Sequence, residues 1–305
     1  MFRRNPNRNE SEDQRKGKPE GAVKRIRFQP GLLPLIPGIL VIIFFFLWPL
    51  GQMVVRSFTD PSIGFENYLR FFNTTADVRS LLTTMKVSFI STIICAVVGY
   101  IYAYTMTLSS LRLSRFLMIA IVLPMGINLL VRTFALQAIL RDTGVINTAL
   151  MNIGLISKPL PLIRNDFAVA LGIVTMLLPY MVLPTYSTMT QIDKQLLLAA
   201  EGLGATPAKV FWNVFFPLSM PGVTAGGLIV FVSSLGFYVV PSLLGSGNDL
   251  FISQSIYFWV RNRGEFGYGA ALSVVLLLLT MGTLLIASRF IQIDKAVSQT
   301  TVGNQ

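Results

Sequence analysis

Residues 198–217 read LAAEGLGATPAKVFWNVFFP and separate two strongly apolar stretches of the chain. The whole sequence of 305 residues is 53% hydrophobic and 13% charged, with a mean hydropathy of +0.63. A chain with so few charges cannot cover an ordinary water-facing surface. Most of it must face lipid, and we expect the more polar segment at 198–217 to lie at a membrane surface.

Six apolar runs are each long enough to cross the bilayer as a helix, which takes roughly 20 residues for a core of about 30 Å. The runs are unbroken rather than alternating, which favours helices over a closed barrel. The sequence therefore predicts an all-α polytopic membrane protein with six transmembrane helices in one domain, 31–292. The predicted spans are 32–55, 81–107, 116–140, 167–188, 221–244 and 269–291.

Residues 1–30 form a basic leader with nine Arg or Lys residues against four acidic ones, a net charge of 9 − 4 = +5. Basic segments stay on the cytoplasmic side of bacterial inner membranes. We therefore expect both termini to be cytoplasmic, with a disordered leader and a tail at 293–305. The leader can also contact anionic lipid headgroups. The first apolar run is too long for a signal-peptide core, so we expect a retained span.

Several chemistries are excluded by residue content. The chain has no histidine and one cysteine, Cys95, so it offers no His-based catalytic pair, no His-ligated metal site and no internal disulfide. It also lacks a phosphate-binding Gly-x-x-x-x-Gly-Lys-Ser/Thr loop. We expect no catalytic residue, no metal site and no cofactor in this chain. Nucleic-acid binding is not expected either, because the basic residues are scattered.

Charges within the predicted spans are few. None of these spans contains Asp or Glu, which disfavours an ion-coupled carrier or channel, the alternative class. Lys86 lies near a span end and can extend its ammonium to the outer interface. Arg132 lies deep in the third span, one helical turn from Asn128. Two roles remain open for Arg132, a structural one in holding carbonyls or a helix end, and lining the substrate route.

Helix-breaking residues recur in the third, fourth and fifth predicted spans, where they favour a cavity or a kink. A small-residue face at the start of the fifth span predicts close helix contact. The breakers are Pro124, Gly126, Pro179, Pro184, Gly236 and Pro241, and the small residues are Gly222, Ala225, Gly226 and Gly227.

The segment 191–217 is predicted to be a helical hairpin. Asp193 can cap a first helix that runs through Leu203, and Gly204 frees the backbone to turn. Thr206 can cap a second helix that starts with Pro207, and Pro217 and Pro221 are expected to end the element. Each helix would have about three turns. Small residues at the bend would let another protein approach closely.

This segment resembles the cytoplasmic signature loop of ATP-binding-cassette importer permeases, written Glu-Ala-Ala, three residues, Gly, nine residues, then Ile-x-Leu-Pro. Leu198 stands where the family has Glu, and Glu201 lies in a variable slot. The matching positions are Ala199, Ala200, Gly204, Val214, Phe216 and Pro217. The resemblance implies a type I importer permease fold and two separate ATPase subunits, which would bind ATP and Mg²⁺. Their contacts would be Leu198, Ala199, Ala200, Glu201, Gly204, Ala205 and Pro217.

Two further segments, 131–147 and 235–245, are similar to motifs of the spermidine/putrescine-type branch. This resemblance implies a permease subunit that forms half of a polyamine path, with a homologous second permease and a periplasmic solute-binding protein as partners. Another small solute, opine-like or amino-acid-like, is the alternative. The candidates for the path are Asn128, Arg132, Tyr180, Phe237 and Tyr238. Aromatic rings suit a cationic solute, whereas Arg132 suits an anionic or zwitterionic one better.

Overall fold

The computed structural model describes residues 35–247 and 250–302, with side chains at 37–247 and 250–287. The regular secondary structure of these residues is entirely helical, as the sequence predicts. The chain divides at Gly51 into two compact units. The expected leader, 1–30, lies outside the described residues, and so do the last three residues of the expected tail.

The first unit contains most of helix α1, which begins at Leu35 and ends at Thr59. Its α-helical parts, Leu35–Ile42 and Trp48–Thr59, are joined by a π-helical turn at Ile43–Leu47. The stretch Pro37–Thr59 is long and apolar enough to cross a membrane. It corresponds to the predicted first span and ends four residues later than predicted.

The second unit holds the remaining helices. The short helix α2 (Glu66–Asn73) precedes α3 (Thr75–Leu108), which forms the next span. Helices α4 (Leu111–Val122) and α5 (Leu129–Leu140) follow. The middle of the chain forms α6 (Val145–Asn152), α7 (Asp166–Thr190), α8 (Lys194–Gly202) and α9 (Pro207–Leu235). The last part forms α10 (Val239–Leu244), α11 (Ile252–Tyr257) with a π-helical turn at Phe258–Asn262, and α12 (Phe266–Val302).

Within the described residues, five helices are long and apolar enough to span a membrane, or six spans if one bent pair is counted as a span. Helices α3, α7 and α12 contain the predicted second, fourth and sixth spans and extend beyond them. Pro179 and Pro184 lie inside α7 without breaking it. Neighbouring helices can satisfy the backbone groups that a proline frees, so these two residues do not end the span.

The third span is not the single helix predicted at 116–140. Residues Leu111–Gly126 and Leu129–Asn152 form two helical segments that meet at an angle of 102°. A 3-10 turn at Leu123–Gly126, with Pro124 near its start, ends the first segment. The next two residues are extended, and the Asn128 side chain accepts the Leu130 N–H at 2.8 Å to begin α5. Pro124 and Gly126 were the sequence signal for this break.

The fifth span also differs from the prediction. Helix α9 runs through Pro217 and Pro221 to Leu235, so these prolines do not end the hairpin and the span does not start at residue 221. A π-helical turn at Phe211–Phe215 precedes Pro217. In that turn the Phe216 N–H donates to the Phe211 carbonyl, five residues back. The backbone hydrogen bonds have therefore already changed from the four-residue to the five-residue pattern just before Pro217, which has no N–H to donate.

The core of the second unit is built by α3, α7 and α9, which pack closely on one another. Gly222 and Gly226 on α9 face α7, as the small-residue face predicts. A Cβ atom at Gly222 would lie 2.6 Å from Thr188 Oγ1 and 2.8 Å from the Pro184 carbonyl oxygen. This contact lies within the chain. Cys95 is fully buried and packs as a small hydrophobe in the same core.

Candidate functional site

The hairpin begins as predicted. The Asp193 carboxylate accepts the Gln195 N–H at 2.9 Å and caps α8. Helix α8 ends at Gly202, and Gly204 adopts a left-handed backbone with φ of 86°. The Ala205 N–H then donates to the Ala200 carbonyl at 3.1 Å. This is the Schellman arrangement, in which the left-handed position strongly favours glycine.

The outer face of this hairpin is exposed. Leu198 is 65% exposed and Leu203 is 90% exposed. A Cβ atom at Gly204 would meet no other atom within 4 Å, so the turn is open to an approaching surface. The positions that resemble the family's ATPase contacts are therefore brought together at one exposed bend, except for Pro217, which lies further along α9.

Aromatic packing attaches the hairpin to the membrane helices. Phe211 and Phe215 of α9 lie 5.3 and 5.4 Å, between ring centroids, from Tyr104 of α3. Thr206 occupies the cap position before Pro207, but its side chain forms no capping hydrogen bond. The second hairpin helix is not a separate three-turn element, because it continues into the 29 residues of α9.

A second candidate region is a cavity of about 540 Å³ at the break in the third span. The break contributes Asn128 and Arg132, and α7 contributes Tyr180. Phe237, which follows the end of α9, completes the group. Four of the five residues predicted for the path thus line one cavity. Its other walls include Met176, Leu177 and Ser233, which carried no sequence signal.

Arg132 holds a backbone carbonyl, which is the structural role that the sequence left open for it. It lines the cavity, and its Nη2 donates a 2.7 Å hydrogen bond to the carbonyl oxygen of Thr175. In a regular helix this carbonyl would accept the N–H of residue 179, which is a proline. Arg132 therefore supplies the donor that Pro179 lacks.

Tyr238 is not in this cavity. It lines a smaller, apolar one of about 370 Å³, where its ring lies 5.1 Å from that of Tyr257. The chain between α9 and α10 is non-helical at Gly236 and Phe237, so the neighbouring Phe237 and Tyr238 can face different cavities. Tyr180 therefore shares a cavity with Phe237 and Tyr238 does not, and the prediction that both tyrosines line the path stays a prediction.

Two charged groups lie near the ends of the long helices. Lys86 Nζ is 3.0 Å from Asp166 Oδ2 at the start of α7, so the ammonium has a carboxylate partner that the sequence did not indicate. Asp77, in the first turn of α3, is only 3% exposed and precedes the predicted span, which starts at residue 81. It accepts hydrogen bonds from Trp259 and Tyr268.

The same two aromatic rings contact Arg70, whose Cζ atom lies 4.2 Å from the Tyr268 ring centroid and 4.7 Å from that of Trp259. Arg70 also pairs with Glu265, and the hydrogen bond between them is the main reason that the pKa of Arg70 is raised. The cluster joins α2 and α3 to the start of α12. The described residues contain no group of His, Cys, Asp and Glu that could hold a metal ion.

Comparison with known proteins identifies the family. Residues 95–293 match the family described as binding-protein-dependent transport system inner membrane component. The chain is a member of this family. It is 34% identical over 245 residues to the spermidine/putrescine transport system permease protein PotB of Haemophilus influenzae, covering 80% of this chain and 84% of that protein. Identity to PotB of Escherichia coli is 32% over 230 residues, or 75% and 83% of the two chains.

Solved structures of importers share the permease fold. A bacterial ABC transporter involved in the import of the acidic polysaccharide alginate matches with a TM-score of 0.67 at 17% identity, covering 85% of this chain and 93% of that chain. The inward-facing MetNI methionine ABC transporter matches with a TM-score of 0.56 at 16% identity, covering 72% and 95%. At these identities the likeness shows the fold alone. The permease relatives are transport proteins and not enzymes.

Proposed function

We propose that this chain is the permease subunit of an ATP-driven, binding-protein-dependent importer and forms half of the path for a polyamine such as spermidine or putrescine. The observation that carries the proposal is the 34% identity to a spermidine/putrescine permease over 80% of the chain. The membrane helices and the exposed hairpin agree with it. Two ATPase subunits would bind ATP and Mg²⁺, and a periplasmic solute-binding protein would deliver the solute.

The exposed hairpin is the proposed ATPase contact. Residues 198–205 present small and apolar side chains around the Gly204 turn, which is a surface that another protein can approach closely. Leu198 in place of Glu removes one charge from this surface. Loss of one exposed ion pair is typically worth only about 0.2 to 1 kcal/mol, so docking should persist. The hairpin and both termini would lie in the cytoplasm.

The Arg132 cavity is the proposed solute site. Tyr180 is 42% exposed and shares the cavity with Phe237, so both can offer ring faces to an ammonium group. Closure of the paired ATPases would move the hairpins and expose the cavity alternately to the two membrane sides.

Reconstitution of the whole complex tests the proposal. Proteoliposomes that contain this chain with its co-purified subunits should take up labelled putrescine or spermidine only when ATP and the solute-binding protein are present. The matched control is this chain alone in the same liposomes, which should transport nothing. Uptake by the chain alone would contradict the importer proposal and favour a carrier or channel.

A zwitterionic solute is the second candidate, because Arg132 lines the cavity and favours an anionic group. A related protein, the putative 2-aminoethylphosphonate transport system permease protein PhnU of Salmonella paratyphi A, is 25% identical over 264 residues. Competition separates the two solute classes. Excess unlabelled spermidine should block uptake if the solute is a polyamine, whereas excess aminoethylphosphonate or amino acid should not.

A further inference from the structure

The smaller cavity, of about 370 Å³, lies outside the proposed solute site. Its walls are mostly apolar or aromatic and include Ile256, Val260 and the rings of Tyr238 and Tyr257. The two tyrosines are 37% and 47% exposed, so the cavity is open rather than enclosed. Such walls suit a ligand with a large apolar part.

The charged residue that lines this cavity is Arg261. It forms no ion pair in the part of the chain whose side chains the structure describes. A guanidinium presents five N–H donors in a geometry that matches a phosphate or a carboxylate, and the hydroxyls of Tyr238 and Tyr257 can add further donors. The chemistry of the cavity therefore favours a ligand that carries an anionic group beside its apolar part.

Contacts with α3 give the depth of the cavity in the membrane. The Ile252 N–H, at the start of α11, donates to Thr84 Oγ1 at 2.9 Å, and Trp259 Nε1, just after α11, lies 3.2 Å from Asp77 Oδ1. The segment thus runs along the first turns of α3, and the predicted second span starts between these contacts, at residue 81. The hairpin packs on the other end of α3. The cavity therefore lies at the membrane boundary away from the hairpin, where lipid headgroups and tyrosine side chains are usually found.

We propose that this cavity binds an anionic phospholipid, with the headgroup phosphate on Arg261 and part of an acyl chain against the apolar walls. In the proposed orientation of the chain, this is a lipid of the outer leaflet. The lipid would contact the same turn that holds Phe237 in the larger cavity, because Ser253 Oγ donates to the Phe237 carbonyl at 2.6 Å and Ser253 also lines the smaller cavity. The proposal does not depend on which solute the importer carries.

Photolabelling of the purified complex in nanodiscs tests the site. The probe is phosphatidylglycerol with a diazirine on one acyl chain, and mass spectrometry locates the labelled residues. We expect labelling to be enriched at Tyr238, Ile256, Tyr257 and Val260, relative to the membrane helices of the same chain. The comparison probe is diacylglycerol with the same diazirine chain. It has no phosphate and should show no enrichment at these residues.

Two neighbouring arginines provide matched variants. R261Q should lower phosphatidylglycerol labelling of the cavity about fivefold, since one basic residue near an anionic headgroup contributes a factor of this order. R261K keeps the positive charge and should retain most of the labelling. R263Q is the control, because Arg263 does not line the cavity and its guanidinium lies 5.6 Å from the Phe258 ring centroid. Both arginines are exposed, so neither substitution disturbs the core.

Three results would overturn the proposal. Labelling of the membrane helices without labelling of the cavity would indicate that another chain covers this surface. Equal enrichment with diacylglycerol would show that the phosphate does not select the ligand. Equal losses in R261Q and R263Q would show general charge attraction instead of a contact at Arg261. The comparison of the two probes uses the wild-type complex, so it decides the question even where a variant does not assemble.

Discussion

The phenol hydroxyl of Tyr268 donates a 2.8 Å hydrogen bond to Oδ2 of Asp77, although 191 residues separate them. Trp259 adds a second donor, with Nε1 3.2 and 3.3 Å from the two carboxylate oxygens. Asp77 is nearly inaccessible to solvent, so these donors replace the water that the carboxylate loses on burial. The bonds tie the start of α3 to the end of α11 and the start of α12.

Substituting Tyr268→Phe should therefore destabilise the protein. It removes a donor to a buried carboxylate while keeping the ring that contacts Arg70, and leaving such a group short of a partner costs about 1 to 3 kcal/mol. The measurement is the free energy of unfolding in mild detergent. Tyr257→Phe is the matched control, because Tyr257 is 47% exposed and should tolerate the loss of its hydroxyl. Equal stability of the two variants would contradict this account.

The contact between α7 and α9 predicts that two glycines of α9 differ in how well they tolerate replacement by alanine. Gly222→Ala should destabilise the protein by about 1 to 3 kcal/mol, because its Cβ would overlap the Pro184 carbonyl and Thr188. At Gly227 the nearest atoms would be 3.8 Å away, so Gly227→Ala should change stability by less than about 0.5 kcal/mol. Thermal unfolding of both variants, monitored in one detergent, measures the difference. Similar midpoints would show that the helices separate more easily than this packing implies.

The hairpin proposal predicts loss of ATPase association in Gly204→Asp. The substitution places a charged side chain on the exposed bend, at a backbone φ of 86° that favours glycine. We expect normal membrane insertion but no co-purification of the ATPase subunits. Gly154→Asp is the matched control, because Gly154 also has a left-handed φ, 74°, and open space around it, but lies in a different loop. Unimpaired co-purification with Gly204→Asp would remove the hairpin from the proposed interface.

The cavity predicts different transport effects for two tyrosines. Tyr180→Ala should raise the KM for putrescine about twofold to thirtyfold, the range for losing a cation-π contact of about 0.5 to 2 kcal/mol. Tyr238→Ala should leave the KM close to that of the wild type, because Tyr238 lines the other cavity with Tyr257. Initial uptake rates over a range of putrescine concentrations measure both. A larger effect at Tyr238 would place the solute in the smaller cavity.

The sequence predicted the helical class, a number of spans within the range of five to six, and four of the eleven residues that line the cavity of about 540 Å³, because apolar run length and helix breakers are local properties. It placed Asn128 and Arg132 near a break on the strength of Pro124 and Gly126. It could not give the angle of 102°, which depends on how the two segments pack. It also ended the hairpin at Pro217, because nothing in the sequence reveals the π-helical turn that lets α9 continue.

Long-range polar contacts were not predictable. The Asp77 cluster joins residues that are 182 and 191 positions apart, and no periodicity links them. The bond from Arg132 to Thr175 is different, since Pro179 marks in the sequence a carbonyl that needs a donor. The sequence shows that a donor is required but not which residue supplies it. The sequence also did not show that Phe237 and Tyr238 face different cavities, because two adjacent residues diverge where the helix stops.

The unbroken course of α9 has a mechanical consequence. Its 29 residues, about 43 Å at 1.5 Å per residue, begin three residues after Gly204 and end two residues before Phe237, which lines the cavity. Its contact with α7 at Gly222 and Gly226 lies near the middle of the helix and can act as a pivot. Movement of the hairpin can therefore reach the cavity through one continuous helix, without a relay of side chains.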